Sequence, residues 1–216
     1  SSKPSVLVID DNADIRSYVR GLLHTDYTVI EAADGSEGIR KAMKYVPDLI
    51  ISDVMMPGID GIECCRRLKS ELQTCHIPVI LLTAKDSLQD KEEGYEVGAD
   101  SYLTKPFSAS LLRSRINNLL ESRKKLIAQF QTRSVPGNQA DLKEKRIVIA
   151  EALSKLDNEF IEKITLLIEE NLSSEKIDIT YLSDKMCMSG STLYRKMKAL
   201  TGLSTNEYIR KVKMQN

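Results

Sequence analysis

No stretch of this 216-residue chain approaches the ~18 consecutive apolar residues that a bilayer-crossing helix requires. Its longest apolar runs, such as Val79-Ile80-Leu81-Leu82, have the length of a strand. No membrane contact is therefore expected. A charged n-region followed by an apolar h-region is also missing, so no secretory leader is expected. Cysteine is scarce: Cys64, Cys65, Cys75 and Cys187 show no even framework of spacings. Free thiols in a reducing cytoplasm are the reading. Internal repeats and low-complexity tracts are absent. So is net charge, with 31 basic and 31 acidic side chains. That balance hides a split. Residues 1–121 carry 14 basic and 19 acidic side chains, a net of −5, and residues 122–216 carry 17 and 12, a net of +5. In 186–216, Arg195, Lys196, Lys198, Arg210, Lys211 and Lys213 stand against Glu207 alone, a pattern that attracts polyanions.

What is present is ordinary for a globular protein: 42% hydrophobic and 29% charged residues, which argues against disorder over most of the length. Apolar runs of strand length recur at Val6–Ile9, Tyr27–Ile30, Leu49–Ile51, Pro78–Leu82 and Ser101–Leu103. Between them lie stretches with helical spacing, such as Ile15, Val19, Leu22, Leu23 and then Ile62, Cys65, Leu68, Leu72. Five strands, each followed by a helix, predict an α/β fold with a parallel, doubly wound sheet covered on both faces. The first, third and fourth runs do not alternate and fit central strands. The last helix, from near Ser108, keeps its stripe through Leu112, Ile116, Leu119, Leu126 and Phe130. That stripe is either the core face of one long helix or a short coiled coil. Ser134–Asn138 reads as a linker. From Leu156 the pattern is helical throughout, with Phe160, Ile164, Leu167, Ile168 and Leu172 on one face. The expected organisation is an α/β domain at 4–124, a helical extension and linker at 125–155, and a small all-α domain at 156–216.

Side chains at the C-terminal ends of parallel strands converge on one crevice. Asp10 and Asp11 follow the first strand, Asp53 the third, Thr83 ends the fourth, and Lys105 follows the fifth. Any one of them could simply cap a helix or satisfy a loop. Together they place three carboxylates, a hydroxyl and an amine in one pocket. Three carboxylates repel one another and call for a cation. With no His or Cys beside them, a hard oxygen-ligated ion is favoured, and Mg²⁺ fits because it binds few carboxylates and keeps sites for phosphate oxygens. Thr83 and Lys105 would then hold phosphoryl oxygens, with Asp53 as the nucleophile. The predicted chemistry is phosphoryl transfer onto an aspartate. A Mg²⁺-dependent phosphohydrolase uses the same parts, but no cap or substrate insertion lies between the strands. A pure interaction module with an unused acidic pocket is a third possibility.

The stretches Val8-Ile9-Asp10-Asp11, Asp53–Gly61, Leu82-Thr83-Ala84 and Tyr102–Phe107 resemble the receiver domain of two-component response regulators, the CheY-like superfamily with a flavodoxin-like sheet. The resemblance covers residues 5–121. It implies that Asp53 accepts a phosphoryl group from a histidine kinase, and that Asp11, Asp53 and the Met55 carbonyl bind Mg²⁺ directly while Asp10 helps through water. It further implies that Lys105 pairs with the phosphate, that Thr83 and Tyr102 switch position, that Lys105-Pro106 is cis, and that the face at 85–120 serves dimerisation. A homodimer through the receiver and the helical extension is expected. Met55 and Lys85 occupy the two positions that tune phosphoryl lifetime in such domains. Neither can orient an attacking water, so slow self-hydrolysis is expected.

In the basic half, residues 178–200 read as helix, turn, helix. A helix-turn-helix presents its second helix to the major groove. Leu193 and Met197 would face the core, and Ser191, Tyr194, Arg195 and Lys198 the outside. Arg195 suits guanine and Lys198 phosphate. Gly202 suits a helix C-terminus and Ser204 an N-cap. Met188–Arg210 resembles the first helix-turn-helix of AraC/XylS-type regulators, which implies DNA contact through Ser189, Gly190, Ser191, Tyr194, Arg195 and Lys198. Cys187 stands where many relatives carry Gly, and Gly190 where a larger residue is common. Because that family joins two such units by a long helix, weak or absent DNA binding is expected of this chain. The abrupt start and stop favour a section of a hybrid histidine kinase over a free response regulator. Neither reading makes the chain an enzyme beyond self-phosphotransfer onto Asp53. Cys64, Cys65, Cys75 and His76 match no zinc spacing and are expected to pack.

Overall fold

Short apolar runs build a parallel sheet in the computed structural model, whose described residues are 3–84, 96–131 (129–131 by backbone alone), 154–172 and 177–215. Its strands are β1 (Ser5–Ile9), β2 (Thr28–Ala32), β3 (Leu49–Asp53), β4 (Val79–Thr83) and β5 (Ser101–Thr104). They pair in the order β2-β1-β3-β4-β5, all parallel. The three strands expected at the centre are the three in the middle. Every residue of β3 and β4 is buried. The expected helix between β4 and β5 falls mostly on residues 85–95, and the expected linker at Ser134–Asn138 falls in 132–153. Both lie outside the described residues.

The pleat sends alternate side chains to opposite faces. Leu7, Ile9, Ile50 and Leu81 join α2 (Gly35–Tyr45) and α3 (Gly61–Ser70) in one core. Val6, Val8, Ile51, Ile80 and Leu82 join α1 (Ala13–Leu23) and α4 (Ala109–Gln131) in the other. Leu112 and Ile116 of α4 are fully buried there, so the first half of its stripe is a core face. The side chain of Phe130 is outside the described set. β2 starts and ends later than its apolar run. Pairing with β1 carries it through Glu31, whose carboxylate meets Arg16 and Arg20 at the sheet edge. Tyr27 is left outside the strand but buried, with its hydroxyl donating to Asn117 Oδ1 at 2.7 Å.

Polar side chains start the helices. Asn12, Asp34 and Asp60 cap α1, α2 and α3 by accepting backbone N–H bonds from the first turn. Behind Asp60, Gly61 is pressed against β3. A Cβ there would lie 2.0 Å from the Asp53 carbonyl oxygen, so only glycine fits.

The chain divides into two compact units, Ser1–Ser122 and Arg123–Asn216. The second contains α5 (Lys155–Glu169), α6 (Ile179–Lys185), α7 (Gly190–Thr201) and α8 (Thr205–Gln215). Phe160, Ile161, Ile164 and Ile168 of α5 are buried, with Leu182, Leu193, Met197, Leu200, Tyr208 and Val212 from the other three helices. Gly202 ends α7 with φ +71°, as its sequence position predicts. Ser204 and Glu207 cap α8 reciprocally. In the turn before α7, Cys187 adopts φ +53° with its side chain exposed. None of the described helices is long and apolar enough to cross a membrane.

Two outcomes test this packing. Gly61→Ala is expected to destabilise the first unit by about 2–3 kcal/mol, read as a lower urea midpoint, because the methyl group must displace the backbone of β3. An unchanged midpoint refutes the close approach. Cys187→Gly is expected to stabilise the second unit by about 0.5–1 kcal/mol, since relief of the left-handed conformation exceeds the added chain entropy of glycine. A melting temperature equal to or below that of the wild type would contradict that.

Candidate functional site

The convergence of strand ends expected in the first unit is present. Asp10 is the residue after β1, Asp53 ends β3, Thr83 ends β4 and Lys105 follows β5. The β3–β4 register pairs Asp53 with Leu82, which sets Thr83 one residue further along the neighbouring strand. Thr83 pairs in turn with Thr104, next to Lys105. The Lys105-Pro106 bond is cis, as the resemblance implies.

The amine sits between two carboxylates. Lys105 Nζ lies 2.9 Å from Asp53 Oδ1 and 3.2 Å from Asp10 Oδ2. Asp10 is fully buried, and its second oxygen accepts the Asn12 backbone N–H at 2.9 Å. Asp53 is also buried, while Asp11 is exposed. Carboxylate oxygens of Asp10, Asp11 and Asp53 all lie within 4.8 Å of one another. Burial pushes the Asp53 carboxyl above the usual carboxylate range and the charge of Asp10 adds to this, against the opposing hydrogen bond and charge of Lys105. Burial alone would lower Lys105, but its hydrogen bond to Asp53 and the two carboxylate charges win and raise it.

These donors fit a divalent hard cation. Three oxygens of like charge converge on a point that opens to water at Asp11, and none of the three residues is His or Cys. Asp10, Asp11 and Asp53 are the side chains that would hold it. Met55 is 69% exposed, and its backbone hydrogen-bonds the Asp53 carboxylate. Thr83 Oγ1 is completely buried and has no hydrogen-bond partner among the described residues. A dry hydroxyl in that state costs about 1–3 kcal/mol, which a phosphoryl oxygen would relieve. Tyr102 is buried in the core shared with α2 and α3. Lys85 lies outside the described residues.

Two supports went unnoticed in the sequence. Arg16 Nη1 donates to the Asp10 carbonyl oxygen at 2.7 Å, and Asn12 both caps α1 and holds Asp10. Their signal was the i, i+4 spacing that puts Asn12 and Arg16 on one side of the first helix. The cysteines behave as packing residues. Cys64, Cys65 and Cys75 are buried, and burial raises the thiols of Cys64 and Cys65 to about 12 and about 11.

In the second unit the expected outward set is outward. Ser191, Tyr194, Arg195 and Lys198 are exposed on α7, and Leu193 and Met197 are fully buried. Ser189 is engaged as the N-cap of α7, accepting the Thr192 N–H at 3.1 Å. Gly190 packs near α6, where a Cβ would lie 3.2 Å from Ile179 Cγ2. One expectation is corrected. Lys196, counted among the side chains that attract polyanions, is wholly buried and ion-paired with Asp157. Its position on α7 turns it inward beside Leu193 and Met197.

Comparison with known proteins places the first unit. The response regulator receiver domain matches residues 6–117. A histidine kinase, P4, of Formosa agariphila is 36% identical over 213 residues, which is 99% of this chain and 15% of that protein. The transcriptional regulator RpaA of Synechocystis is 42% identical over 118 residues, 54% of this chain and 49% of its own length. This chain thus spans half or less of these relatives. Among solved structures, a response regulator of Chloroflexus aurantiacus superimposes with a TM-score of 0.54 at 35% identity, over 56% of this chain and 99% of that one. The Vibrio cholerae chemotaxis protein CheY4 gives 0.53 at 37% identity, over 55% and 99%. With its strand order, its acidic cluster and its lysine bridge, the chain belongs to the response regulator receiver domain family of two-component systems.

Proposed function

We propose that this chain is the receiving and reading section of a two-component phosphorelay, with Asp53 as the phosphoacceptor. The observation that carries the reading is the Lys105 ammonium held 2.9 Å from Asp53 and 3.2 Å from Asp10, with the buried hydroxyl of Thr83 at the end of the adjacent strand. A Asp53 carboxylate oxygen attacks the phosphorus of a phosphohistidine on a histidine kinase. The O–P bond forms, the P–N bond breaks, and the imidazole nitrogen keeps the electron pair and takes a proton. Asp10, Asp11, Asp53 and the Met55 carbonyl would hold Mg²⁺, which when bound would neutralise charge on the transferring group. Lys105 pairs with the new phosphoryl charge, and Thr83 donates to one of its oxygens. Both must draw their loops toward the site, and Tyr102 follows. This biases the face at 85–120 and a homodimer through the receiver and the helical extension. The chain performs no turnover beyond this self-modification, and it acts in the cytoplasm.

The output is assigned to α7. Its exposed Ser191, Tyr194, Arg195 and Lys198 over a buried Leu193 and Met197 suit a recognition helix of AraC type, with Ser189 and Gly190 at its start. The binding is weak and mostly electrostatic. The similarity to the Formosa histidine kinase, which runs through both units, favours a section of a hybrid kinase over a free regulator.

Acetyl phosphate with Mg²⁺ is expected to add one phosphoryl unit, about 80 Da, to the wild type and none to Asp53→Asn by intact mass. A wild-type mass that never changes rejects the proposal. The phosphorylated form is expected to decay over minutes to hours, because the exposed Met55 offers no group to orient water. A half-life of seconds, measured on purified phosphoprotein, would overturn the role given to that position.

A further inference from the structure

Lys196 is among the largest fully buried side chains of the protein, which is rare for lysine and tolerated only with a partner. Its Nζ lies 2.8 Å from Asp157 Oδ1 and 5.0 Å from the centre of the Phe160 ring. The other Asp157 oxygen accepts the Ser154 hydroxyl at 2.8 Å, and Ser154 Oγ in turn accepts the Asp157 N–H at 3.1 Å. A continuous polar chain thus runs from the N-cap of α5 to the middle of α7. Two residues on α7 that bracket Lys196, Arg195 and Lys198, are exposed. Successive helical side chains are set about 100° apart. Anchoring one direction on α7 therefore anchors the others.

Stability alone does not call for this arrangement. An apolar pair of similar volume fills such a position at equal or better stability, whereas an ion pair dictates distance and direction. We propose that the Asp157–Lys196 pair is a positioning device that fixes the roll of α7 against α5 and so aims Arg195 and Lys198 at a nucleic-acid backbone and bases. This rests on the assignment of the second unit as a DNA reader.

The test uses the whole chain and a labelled random-sequence duplex, titrated between about 50 and 200 mM salt. The double variant Asp157→Leu/Lys196→Met keeps the net charge. It is expected to retain its melting temperature within a few degrees, to bind about fivefold more weakly at the lowest salt, and to lose about one unit of the slope of log K against log salt. Arg195→Gln serves as the reference for lost contact. If the double variant matches the wild type in affinity and slope while Arg195→Gln is weaker, positioning by the pair is overturned and DNA reading stands. If the wild type shows no salt-dependent binding, both fall. Should the double variant lose its helical circular dichroism, Asp157→Glu decides. It keeps the charge but lengthens the arm by one methylene, so a shallower slope at retained stability supports the proposal and a wild-type slope overturns it.

Discussion

A single ammonium group holds the receiving end of this protein together. Lys105 reaches from the end of β5 to carboxylates at the ends of β1 and β3. Without it, a fully buried Asp10 would face a buried Asp53 with no ammonium to offset either charge. Removing one partner of a fully buried pair costs about 3–5 kcal/mol. Lys105 is 27% exposed, so solvent screening reduces that figure here. The same partial exposure keeps the amine within reach of solvent as well as of the two carboxylates. The two carboxylate-bearing residues are held from behind: the Asn12 N–H and the Arg16 guanidinium bond Asp10, and Gly61 packs on the backbone of Asp53.

The second unit uses the same pair of functional groups to the opposite end. Lys196 and Asp157 are sealed from water, with an aromatic face beside the amine and a hydroxyl behind the carboxylate. Both side chains are almost wholly removed from solvent among the described residues. A lysine–aspartate contact open to solvent is suited to changing partners, and one closed off by packing is suited to holding geometry.

Most of the first unit could be read from its amino acids because the strands are short, apolar and separated by clear turn residues. β3 and β4 are buried on both faces, and their continuous apolar runs say so. The edge strand β2 was placed early because Glu31 interrupts its apolar signal, although Arg16 and Arg20 make that charge welcome. The acidic cluster was legible because parallel topology fixes where strand ends meet. Asn12 and Arg16 are less legible, since their i, i+4 spacing shows a shared side of the first helix but not that the Asn12 N–H and the Arg16 guanidinium both bond Asp10. Lys196 was misassigned for a related reason. Position 196 lies on the inward side of α7 beside Leu193 and Met197, but a charge there reads as a surface residue until the carboxylate of Asp157, on another helix, supplies its partner. Cys187 carried a correct hint, because a turn position commonly taken by glycine does have a positive φ here.

The last strand of the sheet has a property that follows from its pleat. Tyr102 belongs to the core beneath α2 and α3, while Leu103, its immediate neighbour, belongs to the core beneath α1 and α4. A shift of β5 along its own axis therefore cannot be absorbed on one side. Each of the two apolar layers loses or gains a tooth of the interlock at the same moment, and interiors at crystal-like density do not deform smoothly. The strand that carries the lysine is thereby geared to both flanks of the domain, so a pull at its end would be felt in two separate helical layers.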